Sequence, residues 1–184
     1  MNSVLETIHK RRSTRAFRPE QIRQDELEQI MEAAIQAPSG HNDQAWHFTV
    51  VQNADLIREI KEATRKHMAS AEPEWIRKMG ERPGFDVVYG APTVVLVSGR
   101  LDGLTWKADC AAAIQNMLLA AESLHVGSVW LGLVRFGMRE KALAERLAIP
   151  EGHEYYYTVA LGYKADDRER PGPGRREGVI RYIR

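Results

Sequence analysis

One cysteine, Cys110, carries all the thiol chemistry of this 184-residue chain. A lone thiol excludes an internal disulfide framework, a CxxC zinc site and a cysteine-bound iron–sulfur cluster, and it suits a reducing compartment. Long apolar runs are also missing. No stretch approaches the roughly 18 consecutive apolar residues of a spanning helix, and the polar first thirty residues lack the apolar centre of a signal peptide. Charge of one sign is scarce, the formal net charge being +1. That balance excludes a surface that traps nucleic acid or anionic lipid as a whole, so any basic site must be local. The chain contains no GxSxG, HExxH, GxGxxG or GxxxxGK[ST], which leaves a nucleophile elbow, a zincin site, a Rossmann site and a P-loop unsupported. Its six histidines show no metal-ligand spacing: His41 and His47 straddle a loop and the others are scattered. A cytoplasmic protein without metal, membrane or nucleic-acid partner is expected, in which any nicotinamide nucleotide visits and does not reside.

What is present suits a single domain over residues 1–184, with 43% hydrophobic and 28% charged residues. Ser3 and Glu6 suggest a capping box for a helix that ends near Lys10. From Asp25, with Glu28 three residues on, Leu27, Ile30, Met31, Ala34 and Ile35 share one helical face as far as Ala37-Pro38. Strands are expected at 46–51, 93–97, 128–131 and 155–161, with helices at about 56–63 and 139–147. KADCAAAIQNMLLAAESLHVG is the most helical segment, apolar over more than one side, with Gly127 as its expected left-handed cap. Cys110 on its alanine-rich face is expected to be buried and structural. Helices lying between roughly four strands give an α+β or α/β fold with one sheet. Between about 69 and 90 the periodicity fails at Pro73, Gly80, Pro83 and Gly84, and this segment reads as a surface excursion.

The candidate chemistry lies in two polar stretches. RRSTRAFR gathers Arg11, Arg12, Arg15 and Arg18 around Ser13. Guanidinium forks with a hydroxyl suit a phosphate, although a solvated basic turn has the same composition. The loop from Pro38 to Gln44 offers amide side chains able to read a heteroaromatic edge, or simply forms a polar turn.

In order and spacing, RRSTRAF, APSGHNDQAWHFTVV, GAPTVVLV, DCAAAIQNMLLAAESLHVGSVWLG and ALGYKADDRERPGPGRR together resemble the FMN-dependent nitroreductase family over nearly the whole chain. The resemblance implies a mainly antiparallel sheet wrapped by helices, an interlocked homodimer, and FMN at each dimer interface. It implies that Arg11, Arg12, Ser13 and Arg15 bind the phosphate, ribityl chain and pyrimidine edge. Pro38, Ser39, Gly40, Asn42 and Gln44 match the loop that reaches the flavin from the partner subunit. Trp130, Leu131 and Gly132 match the stretch lying along the ring with an amide near N5, and Arg175 or Arg176 completes the phosphate pocket from the C-terminal end. Where the family carries proline in Gln-Pro-Trp, this chain has Ala45, so a less stiff loop is expected. The implied activity is hydride transfer from NADH or NADPH through the flavin to a flat acceptor such as a nitroaromatic, quinone or enone, in ping-pong order and without a catalytic acid or base from the protein. The alternative is a flavin protein of the same fold with a flavin-consuming, dehalogenating or carrier task. Residues 69–90, with Trp75, Met79 and Phe85, are the candidate lid.

Overall fold

The apolar run at 93–97 extends to Arg100 and forms strand β2 (Thr93–Arg100). It reads as continuous because both its faces are covered: Val95 and Val97 join one core cluster, Val94 and Leu96 the other. The computed structural model describes residues 2–166 and 171–184. Around β2 lie β1 (Trp46–Val51), β3 (Val126–Leu131) and β4 (His153–Tyr163), in the order β1-β2-β4-β3. Every neighbouring pair is antiparallel, so the fold is α+β.

Helices α2 (Gln24–Ile35) and α5 (Trp106–Ser123) cover one face, where Ile30, Ala34, Ile114 and Met117 meet Val95, Val97, Val159 and Leu161. On the other face α3 (Ala54–Met68) and α6 (Lys141–Arg146) bring Ile57, Ile60 and Leu143 against Val94, Leu96 and Ala160. The helix expected at about 139–147 is α6, and a 3-10 stretch, Leu133–Arg139, precedes it. Cys110 is fully buried on α5. Burial, with a smaller contribution from the Asp109 charge, pushes its thiol pKa up to about 12.

Three local expectations are corrected. Helix α1 (Ser3–Lys10) is capped by Asn2, whose side chain accepts from the Leu5 N–H at 3.0 Å. At α2 the N-cap is Arg23 and not Asp25: the Glu26 carboxylate accepts from the Arg23 N–H at 3.0 Å and from the Tyr163 hydroxyl at 2.7 Å. A long-range tyrosine contact of this kind leaves no local signal. Gly127 does not cap α5; His125 takes the left-handed conformation (φ 59°) and Gly127 lies inside β3. Its lack of a side chain serves close packing, since a Cβ there would stand 2.9 Å from Thr14 and 3.0 Å from the Gly162 carbonyl oxygen.

Residues 69–90 are not wholly irregular, for they contain α4 (Glu74–Glu81). Ile76 is buried with Met68 and Phe136, and Met79 and Phe85 pack against that cluster. Of the three candidate lid residues only Trp75, 57% exposed, faces outward.

Apolar side chains of α1 and of the tail are left uncovered by the described residues. Val4, Leu5 and Ile8 of α1 are exposed, although α5 runs beside them. The described tail exposes Val179, Ile180, Tyr182 and Ile183.

Candidate functional site

The arginine segment runs along the free edge of β3. Ser13 forms a parallel bridge with Ser128, the Thr14 N–H donates to the Ser128 carbonyl at 2.9 Å, and Phe17 bridges Lys164 at the end of β4. Backbone bonds therefore fix the segment while leaving its polar side chains available. Arg11 is half-buried and Ser13 and Arg15 are exposed, and none of the three side chains has a partner among the described residues. Arg12 is turned back, donating to the carbonyls of His9 at 2.6 Å and Arg11 at 2.8 Å. The tail returns here: a Cβ on Gly172 would lie 2.7 Å from Arg12 Nη2. Arg175 and Arg176 are exposed three and four residues beyond Gly172, within about 14 Å of chain reach.

Gly132 follows β3, four residues from Ser128 and so about 13 Å along the strand. Leu131 is buried, whereas Trp130 is half-buried and meets Tyr157 edge to face at 5.5 Å. The Tyr157 ring also flanks Gly132, 3.4 Å from where a Cβ would be. A bulge in β4 produces this arrangement. Val97 pairs with Tyr157 but Ser98 with Tyr155, so Tyr156 is the extra residue, and Tyr156 and Tyr157 both pack on the α5 face. Tyr156 touches Tyr157 at 4.6 Å and Trp106 at 5.8 Å, extending an aromatic row from Trp130 to the start of α5.

The Pro38–Gln44 loop sits at the other end of that row. His41, Asn42 and Gln44 hold positive φ values of 53°, 57° and 47°. Left-handed backbone at a non-glycine costs on the order of 1 kcal/mol and persists only where the surroundings over-determine it. Here they do. The Gln44 N–H donates to Ser39 Oγ at 3.0 Å, and the Gln44 side-chain amide donates to Asn42 Oδ1 at 3.2 Å. The Gly40 N–H donates to Asp109 Oδ1 at 3.2 Å, Thr105 Oγ1 donates to Asp109 Oδ2 at 3.1 Å, and Arg100 reaches Asp43 at 2.5 Å. Beside these bonds, Ala45 replaces the proline that the family carries. Ala45 is buried and its carbonyl accepts from the Arg100 N–H at 2.8 Å. Asp109, Arg100 and Tyr157 went unnoticed in the sequence. The available signal for Asp109 was a single acid within an alanine-rich apolar helix.

The structure thus brings Arg11, Arg12, Ser13, Arg15 and the β3 end to one edge, but keeps the 38–44 loop apart. From Ser13 through Ser128, Leu161 and Thr93 to β1 is four strand spacings, about 19 Å. The start of β1 lies a further six residues along, about 20 Å, so the separation is roughly 28 Å. Gly132 is nearer, but the aromatic row stands between it and the loop.

A cleft of about 880 Å³ opens beyond Tyr155–Tyr157. Lys107, Arg135, Arg139 and Lys141 share its walls with Glu145, Glu151 and Glu154. Opposite charges in near balance do not make an anion trap. No group of three or more His, Cys, Asp or Glu residues able to hold a metal occurs among the described residues. None of their helices is long and apolar enough to cross a membrane.

Residues 8–163 match the Nitroreductase family, and the chain belongs to it. Its fold closely follows a Bacteroides fragilis nitroreductase solved with bound FMN, at 37% identity and a TM-score of 0.92 over 100% of both chains. A relative from Archaeoglobus fulgidus, named for NADH dehydrogenase/NAD(P)H nitroreductase activity, is 35% identical over 92% of this chain and 90% of its own length. An iodotyrosine deiodinase of Thermotoga neapolitana is 26% identical over 99% of this chain and 98% of its own.

Proposed function

We propose that this chain is an FMN-dependent oxidoreductase that takes hydride from NADH or NADPH and delivers it to a small flat acceptor such as a nitroaromatic, quinone or enone. The observation that carries the reading is the set Arg11, Ser13 and Arg15 on the β3 edge, unpaired among the described residues and about 13 Å along the strand from Gly132. Two free guanidinium groups beside a free hydroxyl suit a phosphate dianion, because charge-assisted bonds to phosphoryl oxygens are about twice as strong as neutral ones. Arg12, with Arg175 or Arg176 from the returning tail, adds positive charge at the same end. Trp130, Leu131 and Gly132 take the ring end, where the missing side chain of Gly132 lets backbone amides come close. When bound, the flavin supplies the two-electron chemistry, accepting hydride from the nucleotide and passing it to the acceptor in ping-pong order. The protein binds, orients and dries the site.

The site is completed by a second copy. Pro38, Ser39, Gly40, Asn42 and Gln44 lie far from Ser13 and across the aromatic row from Gly132, so they cover the partner's ligand and not that of their own chain. A homodimer also buries the apolar faces of α1 and the tail, which one chain leaves in water. Burial of apolar area contributes roughly 25 cal/mol per Å².

A dehalogenating task is the second reading, favoured by the full-length likeness to the deiodinase. The deciding experiment is anaerobic mixing of the purified, FMN-loaded protein with NADH or NADPH. The hydride-transfer reading expects bleaching of the flavin by at least one nucleotide, followed by re-oxidation with a quinone or nitroaromatic. A flavin that neither nucleotide bleaches, with iodotyrosine turned over under chemical reduction, overturns it in favour of the second reading.

A further inference from the structure

We propose that Asp109 is a positioning residue that sets the flavin site of the partner subunit through Gly40; the proposal rests on the dimeric flavin reading above. The residue is 4% exposed and lies in the first turn of α5. The two oxygens have different partners. Oδ1 accepts from the Gly40 N–H at 3.2 Å and Oδ2 from the Thr105 hydroxyl at 3.1 Å. Taking carboxylate oxygens out of water costs free energy that donors of this kind offset, and the positive end of the helix adds to their effect. The bond to Gly40 has a structural consequence. Gly40 lies against the Thr105 side chain so closely that a Cβ would collide with Thr105 Oγ1. The carboxylate therefore draws the loop onto the end of α5, leaving no slack between them.

That attachment lies in the middle of the loop. Its neighbours His41, Asn42 and Gln44 hold left-handed backbone that a free loop would relax. Ser39 Oγ and Arg100 tie the ends, whereas Asp109 alone among these groups holds the centre from another layer of the fold. Removing it leaves a half-buried N–H without its acceptor and frees the strained residues to relax. Because the loop serves the partner's ligand, the loss appears in the other subunit's site.

The test uses full-length dimers, FMN titration by fluorescence quenching, and melting of the apoprotein. Asp109→Ala is expected to weaken FMN binding about tenfold or more, the effect of losing one buried bond to a charged acceptor. Asp109→Asn keeps an acceptor for Gly40 and an amide for the Thr105 oxygen, and is expected to stay within about threefold of the parent. The decisive arm is a mixed dimer of one Asp109→Ala chain and one Arg15→Ala chain. One of its two sites then joins an intact arginine edge to an intact loop, so one FMN per dimer binds with parental affinity. If Asp109→Ala does not fold, Thr105→Val, which removes the carboxylate's second donor, replaces it in both arms with the same pattern expected. Parental affinity in Asp109→Ala overturns the role of Asp109, whereas a mixed dimer with no parental site, beside weakened binding in Asp109→Ala, overturns the partner-subunit arrangement through which it acts. A parent protein that takes up no FMN overturns the flavin reading itself.

Discussion

The two halves of the proposed site are built on opposite plans. Along β3 the backbone of residues 13–18 is fixed by sheet bonds, while the side chains of Arg11, Ser13 and Arg15 have no protein partner among the described residues. In the 38–44 loop the polar groups are engaged with one another and with Asp109 and Arg100, and the backbone itself is strained. One half offers charge that a ligand must satisfy. The other offers a shape that the protein has already fixed. Binding a phosphate needs the first plan, because donors spent on protein acceptors are unavailable to a ligand. Covering a flat ring from a neighbouring subunit needs the second, because loop ordering at the moment of binding would reduce affinity.

The sharpest way to break this comparison is to remove the charge. Arg11→Ala with Arg15→Ala should weaken FMN binding by about 100-fold or more, since each charge-assisted bond contributes roughly 1.5–3 kcal/mol. Arg15→Ala alone should cost far more than Arg18→Ala, and titration of each variant with FMN checks both. Equal losses would remove the distinction between the two arginines.

Disturbing the shape should have a smaller effect. Gly40→Ala introduces the collision with Thr105 Oγ1 and should weaken FMN binding on the order of tenfold, with the arginine edge untouched. If affinity held while only the melting point fell, the loop would be packing and not a cover. Smaller again is the join between the arginine edge and the sheet. Gly127→Ala crowds Thr14 and the rigid Gly162 carbonyl, and should destabilise the fold by about 1–3 kcal/mol. That corresponds to a melting point lower by several degrees, which calorimetry would detect.

A last effect, confined to alkaline pH, lies in the core beneath both halves. With its pKa raised from 9.0 to about 12, Cys110 keeps its proton in the folded state through a range where the unfolded chain loses it. The native state then binds more protons than the unfolded one, so stability falls as pH rises from about 9 towards 12. Urea unfolding across that range should show a shallower fall in Cys110→Ala.

Legibility in the sequence followed the range of the interactions. Strand β1 is readable from its aromatic and β-branched content, β2 from a continuous apolar run buried on both faces, and the body of α5 from its strong helix formers. The N-caps of α1 and α2 were each misread, since Asn2 competes with Ser3, and Glu26 owes its place partly to Tyr163, 137 residues away. Residues 69–90 concealed α4 because two prolines and two glycines mask a helix held mainly by Ile76 against Met68 and Phe136. In the site, residue types announced the free arginines, which a short motif can carry. Asp109 is a tertiary anchor 69 residues from Gly40, and its neighbours in sequence report only a helix.

The central claim is that a whole flavin site requires two chains. Native mass spectrometry of the purified, FMN-loaded protein tests it most directly. The expected spectrum contains dimers with two FMN, dimers that shed FMN as they dissociate, and bare monomers. A monomer that retains one FMN with the affinity of the dimer would contradict the account.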